Sequence, residues 1–542
     1  MSEVHRLGRL NSLSSLRRLS PSAGASPRAA ITGPGLDPAR RSLLAAALAA
    51  GLAPAWLRHA LAAETERFGL GIASGQPQPQ GMVLWTRLSG ADLPAQVPVQ
   101  WELAEDERFQ QVVARGSETA VVEDAHSVHA EVSGLRPARW YWYRFAALGQ
   151  RSMNGRTRTA PAPGDAVDSL RFSIASCQRY DVGHYAAWLD VVRGEPDLVL
   201  FLGDYLYEYA SSSAALRPHQ GGKVRTLAQY RQRYAQYKSD PALQAAHAAC
   251  PWLLVWDDHE VDNDYAGVQG QGLQPQFEVQ RAAAYQAYWE HMPLPKSARP
   301  LNGEMRMFGR WDWGTLARIH CLDDRQYRDV QACPVAGKGG SNTVPLSRCP
   351  ELLDPRRTLL GAAQERWLAE GWSLDRPWNL LAQQTLMSRW TWADPASPQG
   401  AVYWTDGWDG YPAARQRLLD ALVQRKVPGV VVLGGDTHAN HVSDIRADFD
   451  DPASAVLASE FCGTSISSLG QAQSRWDAAR AFNPHVQWAR SDQRGHVRFV
   501  LDKQGLRAEL RVVADASDAA SSVGTAAVFA VEARRPGVQR LA

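Results

Sequence analysis

The sequence predicts an α/β protein in which a small β-rich domain precedes a larger domain of alternating strands and helices. The chain has 542 residues, and a single hydrophobic core stops growing at about 250–300 residues, so two domains are expected. Short runs of alternating polarity fill residues 66 to 163, whereas apolar runs alternate with amphipathic stretches from residue 169 onward. The composition, 45% hydrophobic, is that of a folded protein, and the formal net charge of +2 gives specific nucleic-acid binding no support.

The N-terminal residues are interpreted as an export signal rather than as part of the fold. Arg40 and Arg41 precede an Ala-rich apolar stretch, and the small-residue sequence "ALA" follows at residues 60 to 62. This order is typical of a twin-arginine signal, so residues 1–62 are assigned to one. A membrane anchor is the weaker alternative, because the apolar stretch is shorter than the roughly 20 residues that a span needs. We therefore expect a bacterial periplasmic or secreted protein that passes through the twin-arginine translocase and has no stable membrane span.

Residues 64–163 are predicted to form a small β-sandwich. Runs such as "MVLWTRL", "VPVQWELA" and "YWYRFAAL" have the polarity of short strands separated by turns. The stretch "SGLRPARWYWYRF" resembles the corner and the following strand of a fibronectin type III domain. A packing or lid role is favoured over ligand binding for this domain.

Residues 169–515 are predicted to form an α/β domain whose parallel or mixed sheet is covered on both faces. Strands such as "LRFSIAS", "DLVLFLGD", "WLLVWDD" and "GVVVLGGD" alternate with stretches of helical spacing such as "FEVQRAAAYQAYWEHM". In such sheets, ligands bind beyond the carboxyl ends of the strands. Residues 516–542 are rich in Ala, Ser and Gly, and we expect this tail to be poorly ordered.

The six cysteines of an exported chain raise the question of disulfide bonds. Cys333 and Cys349 bracket a polar, Gly-rich loop and are the best candidates for one bridge. Cys250, Cys321 and Cys462 lie beside apolar runs and are expected to be buried and unreactive.

Acidic residues, histidines or a cysteine directly follow four of the predicted strands. Each group alone is a weak signal, since Asp is a common turn residue and a histidine can cap a helix. Four groups at one edge of one sheet instead predict a metal centre. The residues concerned are Cys177, Asp204, Tyr207, Asp257, Asp258, His259, Glu260, Asp436 and His438.

With these motifs the chain resembles the PhoD family of alkaline phosphatases and phosphodiesterases, within the calcineurin-like metallophosphoesterases. The resemblance covers most of the mature chain, through strings that include "SCQRYDVGHYAAW", "GDYLYEY", "WDDHEVDNDY", "LDDRQYRD" and "GGDTHANH". It implies a metallophosphoesterase-type αββα sandwich after the fibronectin III-like domain. It also implies hydrolysis of phosphate esters at a binuclear or trinuclear centre.

The resemblance further implies which residues bind metal. Asp204 and Tyr207 match a GDxx[DY] motif, and Asp204 would bridge two metals. Asp258 stands where a GNH[DE] motif has Asn, and Asp436 stands where a GHxH motif has its first His. Cys177 replaces the first Asp of the general pattern, as it does in the PhoD branch.

These replacements imply two metal-binding positions, called poles below, that differ in the chemistry of their ligands. A polarisable set of thiolate, phenolate, imidazole and carboxylate suits Fe3+, and an oxygen-rich set suits Ca2+, with Zn2+ or Mn2+ as the alternatives. The Fe3+ ligands would be Cys177, Asp204, Tyr207 and His438. The Ca2+ ligands would be Asp204, Asp258 and Asp436, with Asn263 nearby.

His259 is the candidate general acid that protonates the leaving group, with Glu260 orienting its ring. The alternative is that His259 only maintains the geometry around the metals. Arg179 is the candidate for binding phosphate oxygens, together with Arg325, because a guanidinium suits bidentate contact. For both arginines, an ion pair is the alternative.

Two other functions are kept open. The first is a metal-free hydrolase in which the thiol of Cys177 is the nucleophile. The second is a non-catalytic protein that binds phosphate or an ester through the β-sandwich. Preference between monoesters and diesters would depend on the loops at residues 210–225, 265–277 and 331–350. Asn440 and His441 are expected beside the metal ligands or in the cleft wall.

Overall fold

The computed structural model describes residues 66–541, so the predicted export signal lies outside the described residues. Within them the chain forms 24 strands and seven α-helices. The strands are β1 (Ile72–Gln78), β2 (Gly81–Arg87), β3 (Gln96–Ala104), β4 (Val112–Val121), β5 (Ser127–Val132), β6 (Trp140–Ala147), β7 (Gln150–Arg151), β8 (Gly155–Arg158), β9 (Ser169–Ala175), β10 (Leu198–Leu202), β11 (Trp252–Val255), β12 (Gly309–Trp313), β13 (Ala317–Cys321), β14 (Thr343–Pro345), β15 (Trp378–Ala382), β16 (Val402–Trp404), β17 (Val430–Gly434), β18 (Asn440–Arg446), β19 (Val456–Cys462), β20 (Val486–Arg490), β21 (Gly495–Asp502), β22 (Gly505–Val513), β23 (Val523–Glu532) and β24 (Arg535–Arg540). The helices are α1 (Ala186–Arg193), α2 (Leu227–Lys238), α3 (Pro241–Ala249), α4 (Phe277–His291), α5 (Gly361–Gly371), α6 (Pro412–Arg425) and α7 (Gln473–Arg480).

Two large mixed sheets form the main body of the protein. The first has ten strands in the order β24-β23-β22-β21-β9-β10-β11-β1-β2-β5, and the second has seven in the order β12-β13-β15-β17-β19-β18-β20. Strands β9, β10 and β11 are parallel to one another, as are β13, β15, β17 and β19. Each sheet therefore brings the carboxyl ends of several strands to one edge.

The two sheets pack face to face, with helices on their outer faces. Ile174 and Leu200 of the first sheet share one apolar core with Ile319 and Val431 of the second. The opposite face of the first sheet packs against α1 to α4, and that of the second against α5 and α6. Strands covered on both faces are apolar throughout, which is why these segments lack strict alternation. The predicted αββα sandwich is confirmed.

Local sequence explains where the helices begin. The stretch from residue 227 to 249 has helical spacing throughout, but it forms two helices, α2 and α3. The carboxylate of Asp240 accepts a hydrogen bond from the backbone N–H of Ala242 at 2.9 Å, and Pro241 occupies the first position of α3. An N-cap followed by proline favours a new helix start over continuation of the previous helix.

The N-terminal β-sandwich is present, and one of its sheets is continuous with the main body. Strands β1, β2 and β5 face the sheet of β3, β4, β6, β7 and β8 across a separate apolar core. The hydroxyl of Tyr141 accepts a hydrogen bond from the backbone N–H of Arg136 at 3.1 Å, which is the contact of a tyrosine corner. Strand β1 pairs in parallel with β11, so the sandwich is joined to the sheet that carries the site.

The expectation of a poorly ordered tail is wrong. Strands β23 and β24 extend the ten-stranded sheet beyond β22. Phe529 and Val531 of β23 are buried in the core between the two sheets. The small residues of the tail reflect a strand packed on one face, and composition alone does not distinguish this from disorder.

The predicted disulfide between Cys333 and Cys349 is present, and the other four cysteines are free and buried. Among the described residues, no helix combines the length and the apolar character needed to cross a membrane.

Candidate active site

The carboxyl ends of strands from both sheets meet at a cleft of about 380 Å³. Cys177 follows β9, Asp204 follows β10, Asp258 follows β11, and Asp436 and His438 follow β17. The residues that the sequence predicts to be metal ligands therefore converge in one place. Those that line the cleft directly are Asp204, Asp258, Asn263, Asp436 and His438.

The backbone turns sharply at four of these residues. Cys177, Asp204, Asp436 and His438 all have φ between 53° and 61°, a left-handed region that non-glycine residues rarely adopt. Gly203, at φ 102°, allows the turns after β10 and β11 to approach, because a Cβ there would lie 2.4 Å from the Cβ of Asp257. Strained turns of this kind concentrate at functional sites.

The first cluster combines sulfur, oxygen and nitrogen donors. Donor atoms of Cys177, Asp204 and His438 lie within 4.8 Å of one another. The hydroxyl of Tyr207 donates to Asp204 Oδ2 at 2.6 Å and lies 3.0 Å from His438 Nε2. His438 Nδ1 donates to the carbonyl of Leu469 at 2.7 Å. Because a carbonyl oxygen only accepts, Nδ1 carries a proton, and Nε2 is the ring nitrogen that faces the cluster.

The second cluster consists of carboxylates. Asp204, Asp258 and a ring nitrogen of His259 form one group of donors within 4.8 Å, and Asp257, Asp258 and Asp436 form another. Four carboxylate oxygens here are buried without a hydrogen-bond partner among residues 66–541. Buried polar atoms are normally paired, so unpaired ones are candidate ligand atoms. The atoms are Asp204 Oδ1, Asp257 Oδ2, Asp258 Oδ1 and Asp436 Oδ2.

Sequence reasoning missed two further carboxylates. Asp264 and Asp406, both buried, form a third group of donors with Asp258. Asp264 lies in the "DNDY" stretch close to Asp258, a signal that could have been used, whereas Asp406 is distant in sequence and gave none. Burial and the neighbouring carboxylate of Asp406 raise the pKa of Asp264 to about 6. This repulsion indicates a place where a cation would be stabilised.

Arg325 is fully buried among these acids. It forms ion pairs with Asp257 and Asp406, and its third nitrogen lies 3.6 Å from Asp436. Of the two roles considered for Arg325, the structure shows the ion pair. The arginine neutralises part of the buried charge and braces the turns after β11 and β17.

The prediction that Glu260 orients the ring of His259 is wrong. Glu260 instead accepts hydrogen bonds from the backbone N–H groups of Asp204 at 3.0 Å, Tyr205 at 2.6 Å and Asp257 at 2.9 Å. A carboxylate fully engaged with three backbone groups holds the two turns together and does not orient the ring.

Glu208 is the residue that orients His259. Its Oε2 atom lies 2.7 Å from His259 Nδ1, and Oε1 accepts from the backbone N–H of Asn263 at 3.2 Å. Burial lowers the pKa of His259, but the carboxylates of Asp204 and Glu208 outweigh it and hold that pKa well above its usual range. Position 208 follows Tyr207 directly, so its place beside the ligand motif was the only sequence signal.

Arg179 makes a bidentate ion pair with Asp181, at 2.7 and 3.2 Å. Its guanidinium lies 5.7 Å from the centre of the Tyr207 ring, and it is not among the residues that line the cleft. The structure therefore shows the ion pair for Arg179 as well.

Two neighbours of His438 lie behind the cleft. Asn440 is buried, and its side-chain oxygen accepts from the backbone N–H of Thr464 at 3.0 Å. His441 is buried against Trp390 and Trp476, at ring distances of 5.4 and 6.2 Å. His441 thus lies behind two rings that line the cleft, whereas Asn440 is bonded to the backbone after β19.

Known proteins resemble this chain over most of its length. The model of the PhoD-like phosphatase family matches residues 172–510, and that of the PhoD-like phosphatase N-terminal domain matches residues 51–161. The chain is 42% identical over 492 residues to alkaline phosphatase D of Bacillus subtilis (strain 168), an alignment that covers 88% of this chain and 82% of that protein. A solved structure described as "Structure of PhoD" is 40% identical, with a TM-score of 0.83, over 88% of this chain and 93% of that one. The chain therefore belongs to the PhoD-like phosphatase family and is a phosphoric ester hydrolase.

Proposed function

We propose that this enzyme hydrolyses phosphoric esters with a mixed metal centre in which Asp204 links an iron pole to a calcium pole. The observation that carries the proposal is the position of the Asp204 carboxylate. It lies within 4.8 Å of donors from Cys177 and His438, and equally of donors from Asp258 and His259. One buried carboxylate shared between two donor clusters is the arrangement expected of a bridging ligand.

The donor set of the first pole fits ferric iron. Cys177, Tyr207, His438 and Asp204 would hold it. A thiolate and a phenolate are polarisable anions, and the Nδ1 bond of His438 directs its Nε2 at the same cluster. Zn2+ is the alternative at this pole, although a phenolate ligand favours iron.

The donor set of the second pole fits calcium. Asp204, Asp258 and Asp436 offer carboxylate oxygens, and Asn263 lines the same cleft. Calcium takes six to eight oxygen ligands in a flexible geometry. The group of Asp258, Asp264 and Asp406 would supply oxygens for a third cation, which makes a trinuclear centre the extended form of the proposal. Mn2+ is the alternative here.

The cations, when bound, would neutralise the phosphoryl oxygens and lower the pKa of a water that attacks phosphorus in line. His259 protonates the departing alkoxide, and Glu208 holds its Nδ1 so that Nε2 carries the transferable proton. Glu260 keeps the turns that carry Asp204 and Asp257 in place. For Arg179, the ion pair with Asp181 has more support than phosphate binding, because its guanidinium is already engaged.

The metal-free alternative with a Cys177 nucleophile has less support. Burial, and then the neighbouring carboxylate of Asp204, raise the pKa of this thiol well above its usual range. Without a cation the thiol would stay neutral, and the neutral form is not the nucleophile. The family assignment also favours an enzyme over the non-catalytic binding protein.

Metal analysis of the purified enzyme tests the proposal. We expect stoichiometric iron and calcium, loss of activity on chelation, and recovery when both metals are returned. Alkylation of thiols in the metal-loaded protein should leave activity unchanged, because Cys177 would be coordinated and is buried. A metal-free preparation whose activity disappears on alkylation would establish the thiol mechanism instead.

We further propose that the enzyme is exported by the twin-arginine translocase to the periplasm or the medium. The support is the Arg40–Arg41 pair before the apolar stretch. Replacing both arginines by lysine should retain the full-length chain in the cytoplasm of its bacterial host. Export of the double variant at the normal level would contradict this route.

A further inference from the structure

Tryptophan side chains line the cleft beside the carboxylates, and phosphoryl transfer itself does not require them. We call this lining the tryptophan wall, and it consists of Trp390, Trp392, Trp404, Trp408 and Trp476. Leu386 and Leu469 line the cleft with them. Five of the chain's 20 tryptophans thus border the same space as the metal-binding carboxylates. A phosphate group alone would contact none of this apolar surface.

The rings of the wall pack tightly against one another. Trp390 and Trp476 are 4.8 Å apart between centroids, Trp392 and Trp476 are 5.1 Å apart, and Trp390 and Trp392 are 5.6 Å apart. Edge-on and tilted contacts at these distances are favourable. The wall is therefore preformed, and a ligand that binds it would lose little free energy to ordering side chains.

The two partly exposed members of the wall are on adjacent segments, since the backbone N–H of Trp392 donates to the carbonyl of Val402 in β16 at 2.9 Å. Trp392 and Trp404 are partly exposed, whereas Trp390, Trp408 and Trp476 are buried behind them. Trp404 belongs to β16, which pairs with β14 in a two-stranded ribbon, and the Cys333–Cys349 disulfide closes the loop that contains β14. Trp404 is therefore on the ribbon itself, and Trp392 is on a segment that is hydrogen-bonded to it.

The buried members have unused hydrogen-bond donors. The indole N–H groups of Trp390 and Trp476 are buried, and neither has an acceptor among residues 66–541. Both atoms are closed off from solvent, so the buried members support the ring of Trp392 from behind and do not bond to a ligand themselves.

The side chain of Arg475 packs against the ring of Trp392. The guanidinium of Arg475 lies 4.3 Å from the centre of the Trp392 ring, where the contact is attractive. Arg475 also lines the cleft and places a positive charge at its rim. An anionic substrate is thereby attracted to the same surface that offers the flat ring.

We propose that the tryptophan wall is a subsite for the second ester group of a phosphodiester, and that it selects a planar heteroaromatic group of the nucleoside type. This inference rests on the proposed function, since the wall acts only if the carboxylate cluster hydrolyses the ester. Flat rings stack on the faces of tryptophan, and Trp392 and Trp404 are the partly exposed rings of the wall. A flexible alkyl chain would contact the wall but would lose more conformational freedom on binding than a rigid ring does.

Three substrates with a common leaving group test the proposal. They are the p-nitrophenyl esters of methyl phosphate, hexyl phosphate and thymidine 5′-phosphate. The metal-loaded full chain should show a KM for the thymidine ester at least about tenfold below the KM for the other two, which is the scale of stacking on an aromatic side chain. The kcat values should be similar, because the leaving group is the same.

Variants of Trp392 distinguish binding at the subsite from the hydrolysis step. Trp392→Leu should raise the ratio of the KM for the thymidine ester to the KM for the methyl ester about tenfold, and Trp392→Tyr should restore most of the loss. Trp367→Leu, on α5 and outside the cleft lining, is the control for general loss of a tryptophan. Metal content and thermal unfolding of each variant show whether it has folded.

The outcomes distinguish the two proposals. If no ester is hydrolysed by metal-loaded enzyme, the proposed function fails. If all three are hydrolysed with equal KM, or Trp392→Leu affects the methyl and thymidine esters alike, the subsite is overturned. If the hexyl ester binds as tightly as the thymidine ester, the wall is an apolar surface without selectivity for planar groups, which also overturns it.

Discussion

At the scale of single residues, the site depends on side chains held in unfavourable backbone conformations. Cys177, Asp204, Asp436 and His438 each adopt a positive φ, and conformations of this kind cost on the order of 1–3 kcal/mol each. Aspartate and histidine tolerate this region better than cysteine does. Glu260 and Arg325 stabilise the turns in which these residues lie, so the strain is offset by buried hydrogen bonds and ion pairs.

Replacing His259 by asparagine tests its role as the general acid. Protonation of the leaving group typically contributes about 10²–10⁴-fold to the rate. The loss should be of that size for alkyl phosphates, whose alkoxides are poor leaving groups, and below about tenfold for p-nitrophenyl phosphate, which needs no proton. Steady-state kinetics on both substrates measure the difference. Equal losses on the two would assign His259 a geometric role only.

Replacing Glu208 by glutamine tests the residue that orients His259. The wild-type carboxylate raises the pKa of His259, and an acid catalyst is active below its pKa. The descending limb of the profile of kcat/KM against pH should therefore move to lower pH in the variant. Metal content should not change, since Glu208 belongs to none of the donor clusters. An unshifted limb would mean that His259 does not control it.

At the scale of elements, the strand ends were predictable and the elements around the cleft were not. A buried strand followed by Asp or Cys can be recognised in the sequence, so Cys177, Asp204 and Asp258 were assigned to the correct edge. The ribbon of β14 and β16 has only three residues in each strand, too few for any periodicity. Trp404 lies on this ribbon and Asp406 follows it directly, and the position of the ribbon depends on long-range contacts that local patterns do not contain.

Removal of the Cys333–Cys349 disulfide tests how much the order of this ribbon depends on that bond. Closing a loop of 16 residues reduces the entropy of the open chain by an amount worth about 3 kcal/mol. The Cys333→Ser/Cys349→Ser variant should be cleaved faster between residues 331 and 350 in limited proteolysis than the wild type. Lys338→Ala, an exposed substitution in the same loop, is the control. Identical cleavage rates would show that the ribbon is held without the bridge.

At the scale of the whole molecule, the two sheets and the C-terminal strands form one structure around the site. The backbone N–H of Val538 in β24 donates to Asp444 of β18 at 2.8 Å, so the last strand of the first sheet also contacts the second. Composition indicated a loose tail, because small residues are common both in disordered chains and in strands packed on one face. The αββα architecture itself was predictable, since long apolar strands alternate with helices and the motifs indicate the family.

Replacement of Phe529 by alanine tests the contribution of the C-terminal strands. Truncating a fully buried phenylalanine costs about 3–5 kcal/mol, and Phe529 is 0% exposed. The variant should lose activity much faster than the wild type on incubation at a fixed elevated temperature. Val500→Ala, on β21 of the same sheet at 39% exposure, should change the rate little. Similar rates for both variants would indicate that the tail does not support the core.

The central claim is that Tyr207 and Asp204 belong to a centre that contains ferric iron. The most direct measurement is the visible absorption spectrum of the purified enzyme, recorded with its metal content, for the wild type and for Tyr207→Phe. We predict a tyrosinate-to-iron charge-transfer band in the wild type that disappears in the variant, with calcium retained in both. Stoichiometric zinc with no visible band in the wild type, or an unchanged band in Tyr207→Phe, would contradict the account.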